Sequence, residues 1–143
     1  VKDVNQGPVV VCGGGELGGE TAEFIAQTNH DVTILEMKPA ILTDMVVTNM
    51  IPTMEDSQQQ IKIVTNATVS KINENAVSYK NADGDEIAIP ASTVVSAFGY
   101  KAYNPLENVA KENCNEVYVI GSAVKAGNAL TAIQDGYQAG LKL

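Results

Sequence analysis

The stretch Val9-Val10-Val11-Cys12-Gly13-Gly14-Gly15-Glu16-Leu17-Gly18-Gly19-Glu20 decides the fold. A short β-branched apolar run ends in a cluster of glycines and passes into a helical pattern. Gly13, Gly15 and Gly18 stand in the G-x-G-x-x-G spacing of a dinucleotide-binding βαβ unit. In such a unit the residue at Gly13 makes the tight turn out of the strand. Gly15 lets the backbone approach a pyrophosphate, and Gly18 lets helix and strand pack closely. The N–H groups and positive dipole end of the helix then face the phosphates. Gly13, Gly14, Gly15, Glu16, Leu17 and Gly18 are therefore the candidate phosphate loop.

A glycine cluster alone is weak evidence, so the flanks decide its meaning. Val9–Val11 supply the preceding strand, and Leu17, Thr21, Phe24, Ile25 and Thr28 fall at helical spacing as one packing face. Asn29-His30-Asp31 breaks that pattern. Val32-Thr33-Ile34-Leu35 follows as a second apolar strand closed by Glu36, about 20 positions beyond the glycines, where the motif requires an acid. The alternative is a plain strand-to-helix turn. If the motif is functional, Glu36 accepts hydrogen bonds from both adenosine ribose hydroxyls of NAD. A 2′-phosphate there would stand about 4 Å from a like charge, at roughly 1–4 kcal/mol for effective dielectrics of 80 to 20. The sequence thus favours NADH over NADPH. Lys38, beside Met37 just past the strand, softens the preference, since NADP sites usually carry a cation there. Glu16 adds negative charge beside the pyrophosphate, partly offset because an acid suits a first helical turn.

The chain has 143 residues, with 45% hydrophobic and 18% charged side chains, which is one domain's worth of ordinary globular composition. A net charge of −8 without a block of Lys or Arg argues against nucleic acid and anionic membranes as partners. No apolar run approaches the roughly 18 residues of a spanning helix, and Val1–Pro8 lacks the apolar core of a signal peptide. A cytoplasmic location is expected. The start has no initiator Met and reads as a linker, as in a piece of a longer protein, although tag removal would leave the same start. Cys12 and Cys114 form no C-x-x-C pair, so neither a metal nor a dithiol centre is supported. Cys12 reads as a small buried hydrophobe, and His30 as a solvated loop residue.

Beyond Lys38, a helix carrying Met45, Val46, Met50, Ile51 and Met54 is expected, capped by Thr43 or Asp44 and kinked at Pro52, with Gln58–Gln60 at its polar end. Ile61–Val64 alternates as a third strand. Three short β segments follow, Thr68–Ile72, Ala76–Lys80 and Glu86–Pro90, the last two joined through Asp83-Gly84. This meander stands where a plain Rossmann repeat would put a helix. Thr93–Ala97 then reads as a buried parallel strand running into Phe98-Gly99. Ala97, Phe98 and Gly99 would lie at the carboxyl edge of the sheet, where α/β ligands bind, or Gly99 is a simple turn glycine. Tyr103–Leu106 opens a loop, Val117–Ile120 is expected as a strand ending at Gly121-Ser122, and Asn128–Lys142 as a helix with Leu130, Ile133, Tyr137 and Leu141 on one face. The fold class is α/β: a Rossmann-like, three-layer fold with a parallel sheet and a three-stranded antiparallel β-meander crossover.

The order Gly13-Gly14-Gly15-x-x-Gly18-Gly19-Glu20-Thr21-Ala22-Glu23-Phe24, Val32-Thr33-Ile34-Leu35-Glu36, a meander and Ala97-Phe98-Gly99-Tyr100 resembles the NAD(P)H domain of the two-dinucleotide flavoprotein oxidoreductases. Their NAD(P)H domain is inserted into an FAD domain, whose last segment reads strand, Gly-Asp, loop and a helix carrying A-x-x-x-G. Val117–Ala123 and Thr131–Gly140 are similar to that segment. Within the superfamily the chain looks most like the C-terminal part of the NADH:flavin oxidoreductases, the 2,4-dienoyl-CoA and 2-enoate reductases, which carry an FMN barrel and an iron–sulfur cluster. The resemblance implies residues 1–8 as linker, 9–105 as the NAD(P)H domain and 115–143 as the C-terminal segment of the surrounding FAD domain. It also implies Glu20 near nicotinamide and flavin, with a solvated helix residue as the alternative, and Val69 near the adenine. Gly121 and Ser122 would lie near the flavin, although Ser122 replaces the usual Asp.

With a single G-x-G-x-x-G, this polypeptide alone is not expected to hold FAD firmly; FAD belongs to the full-length parent. No general acid, nucleophile or metal set is visible, so no catalytic residue is assigned. Three functions follow for comparison: an NADH-binding domain positioning nicotinamide for hydride transfer to FAD in a parent that reduces an enoate or enoyl-type substrate, a stand-alone nicotinamide dehydrogenase, and a non-catalytic dinucleotide-sensing module. The first is favoured. The second lacks a Lys/Tyr or His/Asp pair to move a proton.

Overall fold

The structure is a computed structural model that describes residues 4–43 and 61–143. The expected Met-rich helix, its Asp44 cap, Pro52 and the Gln58–Gln60 end lie outside the described residues. Two units form, Val1–Gly99 and Tyr100–Leu143.

In the first unit the β-branched runs become strands β1 (Val9–Cys12), β2 (Val32–Leu35), β3 (Ile61–Val64) and β7 (Thr93–Ser96), all parallel, in the order β3-β2-β1-β7. The registers are unbroken: Val9 lies beside Val32 and Thr93, and Val32 beside Ile61. Alternation along β1 sorts side chains onto two faces. Val9 and Val11 point with Val32 and Ile34 toward helix α1 (Glu16–Ala26), where Ala22 and Ile25 complete one core. Val10, Cys12 and Leu35 face the other way, onto Ala67, Val77, Tyr79 and Ala91. That second layer is the antiparallel sheet of β4 (Thr68–Ile72), β5 (Ala76–Lys80) and β6 (Glu86–Pro90). Helix, parallel sheet and meander are the three layers of a Rossmann-like α/β fold, as the sequence predicts.

Three expectations for the first unit are corrected. The packing face of α1 is Gly18, Gly19, Ala22 and Ile25, whereas Leu17 and Phe24 are 51% and 60% exposed. Glycines bring the helix backbone down onto the β1 turn, and the helix rotates its small residues, not its largest, toward the sheet. Strand β7 is half-buried, not buried, because it pairs on one side with β1 and forms an edge of the described sheet. His30 is buried at 7% exposure. Thr28 Oγ1 donates to the Ile25 carbonyl at 2.6 Å and lies 2.9 Å from His30 Nδ1. The single hydroxyl proton is thereby used, so we assign the ring proton to Nδ1; Nε2 is buried without a partner.

The meander is built as its sequence predicts. At the β5–β6 turn, Asn81 Oδ1 accepts from the N–H groups of Asp83 and Asp85 at 3.0 and 2.8 Å, which closes the loop around Asp83-Gly84. A bulge between Val69 and Lys71 interrupts the β4–β5 register at Ser70, whose hydroxyl donates to Glu86 Oε1 at 2.8 Å.

The second unit contains α2 (Glu107–Asn113), a short 3-10 turn at Gly121–Ala123 and α3 (Ala129–Gly140). Helix α2 was not predicted. Its local signals are Asn104, whose amide donates to Glu107, and the Glu107–Lys111 ion pair one turn apart. Helix α3 begins where expected, with the Asn128 side chain accepting from the Thr131 N–H at 3.0 Å. Val117–Ile120 is not a strand. An extended segment needs a neighbour for its ladder bonds, and the described residues of this unit offer none. No residue of α2 or α3 is buried, and Leu130, Ile133, Tyr137 and Leu141 are all exposed. Among the described residues, no helix is long and apolar enough to cross a membrane.

A Cβ placed on Gly18 would lie 1.9 Å from the Gly13 carbonyl oxygen, whereas one on Gly140 at the end of α3 meets nothing within 4 Å. Gly18→Ala is therefore expected to destabilise the protein by about 1–3 kcal/mol or more. Gly140→Ala should leave stability unchanged or raise it slightly. Urea denaturation of both variants beside the wild type checks the contrast.

Candidate nucleotide site

Strand β1 delivers the chain to Gly13, whose N–H donates to the Leu35 carbonyl at 2.8 Å, while the Ala97 N–H donates to the Cys12 carbonyl at 2.9 Å. These bonds extend the sheet pairing by one residue and fix the mouth of the turn between β2 and β7. Gly13 then adopts φ +113°, a left-handed value natural to glycine, and a Cβ there would lie 2.2 Å from the Ala97 carbonyl oxygen. Gly15 is the N-cap of α1 and Gly18 rests on the Gly13 carbonyl. The N-cap residue of α1, Gly15, has no side chain with which to cap the helix. A helix start seated on so tight a turn has the geometry that can receive an anion.

Glu36 carries the electrostatics. It leaves β2 with its backbone still paired, donating to Val64 and accepting from Ala67, both at 2.9 Å. The residue is only 7% exposed. Oε2 accepts from the Gly14 N–H at 2.7 Å and Oε1 from the Lys38 N–H at 2.8 Å. Two charge-assisted bonds hold the group without using all the lone pairs of either oxygen, so each oxygen can still accept from a ligand hydroxyl. Lys38 itself is exposed, its Nζ 3.5 Å from Thr43 Oγ1, and Met37 is exposed beside it.

The structure thus brings Gly13, Gly14, Gly15, Gly18, Glu36, Lys38 and Ala97 to one end of the parallel sheet, with Glu16 and Leu17 exposed on the first turn of α1. Glu20 is exposed further along that helix. Phe98 is exposed, and Gly99 takes φ +87° with open space around it, so both the turn and the ligand-lining readings of Gly99 fit its geometry. Val69 is half-buried and packs against the core between the parallel sheet and the meander. Gly121 and Ser122 belong to the second unit, where the Gly121 N–H donates to Asp135 Oδ2 at 3.1 Å. The tether at Asp135, inside the Thr131–Gly140 segment, was missed. So was Leu42, a buried anchor described below; its signal was a lone leucine in a turn-rich segment. Burial pushes the Cys12 thiol above its ordinary pKa, consistent with a core residue and not a nucleophile. Among the described residues no cluster of His, Cys, Asp and Glu could hold a metal.

The profile of the pyridine nucleotide-disulphide oxidoreductases matches residues 2–120. The chain belongs to that family. An NADH oxidase from Thermoanaerobacter brockii is 33% identical over 132 residues, covering 91% of this chain and 20% of the relative. A bilirubin reductase from Mediterraneibacter gnavus is 31% identical over 142 residues, 96% of this chain and 22% of that protein. Among solved structures, a 2-naphthoyl-CoA reductase in complex with 2-naphthoyl-CoA superposes with a TM-score of 0.77 at 32% identity, over 99% of this chain and 22% of that one. The chain spans about a fifth of the length of these curated relatives. Pyridine nucleotide-disulphide oxidoreductases use NAD(P)H and a flavin, and the turn, helix start and carboxylate described above fit the former.

Replacing Glu36 by Gln should expose its structural share. One amide oxygen can accept from one of the two N–H groups, but the amide NH2 then faces the other. A loss of about 1–3 kcal/mol is expected in chemical denaturation, the cost of leaving one buried donor unpaired.

Proposed function

We propose that residues 9–105 are the NADH-binding domain of a flavin-dependent oxidoreductase, and that residues 115–143 are the closing segment of its FAD domain. The observation that carries this reading is the buried Glu36 carboxylate, fixed by the Gly14 and Lys38 N–H groups beside the glycine turn. Gly13 to Gly18 and the start of α1 would receive the pyrophosphate, and Glu36 the adenosine ribose. Ala97–Gly99 would border the nicotinamide half, Val69 the adenine, and Glu20 the meeting of nicotinamide and flavin. When bound, NADH supplies a hydride to the flavin of the parent; this chain's share is to bind and orient it.

Gly121 and Ser122 would stand near the FAD of the parent, whose other domains, among them an FMN barrel with an iron–sulfur cluster, this chain does not contain. The exposed apolar faces of α3 and the lack of buried residues in the second unit support its belonging to a larger domain. The likeness to a reductase of a CoA thioester supports an enoate or enoyl-type final acceptor. The parent would act in the cytoplasm, with neither nucleic acid nor membrane as a partner. A non-catalytic sensing module would share the same turn and Glu36; flavin-dependent turnover by the full-length protein separates the two.

Calorimetric titration of the chain with NADH and NADPH tests the reading. NADH should bind at least about fivefold more tightly, since roughly 1–4 kcal/mol of repulsion opposes a 2′-phosphate beside Glu36. Glu36→Arg should weaken or reverse that preference. Equal affinities in the wild type would contradict the assignment of Glu36. Purification of the chain with stoichiometric FAD would contradict its assignment as a nicotinamide module alone.

A further inference from the structure

Gly14 and Gly19 lie outside the G-x-G-x-x-G fingerprint, yet a Cβ at either position would push on a neighbouring side chain. At Gly14 it would lie 2.6 Å from Ile41 Cγ2 and 3.1 Å from Glu36 Cβ; at Gly19 it would lie 2.4 Å from Leu42 Cδ2. Both glycines make room for the segment that follows Glu36. That segment is tied at several points. The Lys38 N–H holds Glu36 Oε1, the Lys38 carbonyl accepts from the Asn66 N–H at 3.0 Å, and the Leu42 N–H donates to the Gly14 carbonyl at 2.6 Å. Gly14 is thus held from both sides, its N–H by Glu36 and its carbonyl by Leu42. The Leu42 side chain is 2% exposed, and Ile41 packs on the core shared by α1 and the sheet. Leu42 also adopts φ +56°, a conformation a leucine accepts only where its surroundings impose it.

We propose that Ile41–Leu42 is a positioning element for nucleotide selection, resting on the NADH reading of the same site. Seated on Gly14 and Gly19, Leu42 holds residues 37–41 in place and, through the Lys38 N–H, keeps the Glu36 carboxylate aimed at the ribose. Releasing Leu42 frees that N–H and lets the carboxylate turn away. The loss then falls more on NADH than on NADPH, because NADPH gains from the retreat of a like charge. A role in folding alone would weaken both nucleotides equally.

The test is calorimetric titration of the chain with NADH and with NADPH for wild type, Leu42→Ala, Leu42→Met and Gly19→Ala. Gly19→Ala displaces Leu42 while improving helix propensity, so it keeps the test open if Leu42→Ala folds poorly. Leu42→Ala and Gly19→Ala should weaken NADH about tenfold, as if a tenth of the molecules held the competent arrangement, and narrow the preference for NADH over NADPH. Leu42→Met, which refills the pocket, should retain both affinity and preference. An unchanged preference in folded Leu42→Ala and Gly19→Ala overturns the proposal while leaving the NADH reading intact. A folded wild type that binds neither nucleotide, or both equally, overturns the NADH reading and this proposal with it.

Discussion

A buried carboxylate must find donors or cost more than a single domain can spare. Glu36 finds them in the backbone, at Gly14 and Lys38, and that requirement ties the glycine turn to a stretch of chain about 22 residues further on. It fixes the middle of the glycine turn, the exit from β2 and the segment leading to Leu42. The turn in turn depends on close backbone approach: Gly18 sits on the Gly13 carbonyl, and Gly13 against Ala97. Helix α1 therefore starts over the end of the sheet, and its small residues, not Leu17 or Phe24, make the contact. Site and fold are one constraint seen from two sides.

Where local chemistry dictated the outcome, the sequence was legible. The parallel strands, the meander, the Asp83-Gly84 turn and the start of α3 each follow from propensity or from a side chain bonding its neighbours. Glu36 was legible because the motif's spacing demands an acid there, but its grip on Gly14 was not, since that bond depends on how far α1 descends. The orientation of α1 was misread for the same reason: periodicity marks Leu17 and Phe24 as apolar but cannot weigh them against a glycine face that packs closer. His30 looked solvated because its neighbours are polar, and only the fold shows that it tucks beneath the helix end beside Thr28.

The second unit teaches the complementary lesson. The apolar stripe of α3 is where the sequence placed it, and the Asn128 cap and the Asp135 bond to Gly121 form locally. Val117–Ile120 did not become a strand, because strand formation is a property of a pair and not of a segment. An amphipathic helix without a partner sheet keeps its helix and exposes its stripe, while a lone strand loses its identity. That asymmetry agrees with the family membership and with a chain spanning a fifth of its relatives' length.

In the proposed function the glycine turn and Glu36 act together as the nucleotide site. Its most direct test is a two-dimensional amide NMR spectrum of the isotope-labelled chain, recorded with and without saturating NADH. The amides of Gly13 to Gly18, Glu36 and Lys38 should shift together, while those of the β5–β6 turn stay in place. Shifts confined to residues 100–143, or an unchanged spectrum from a folded sample, would contradict it.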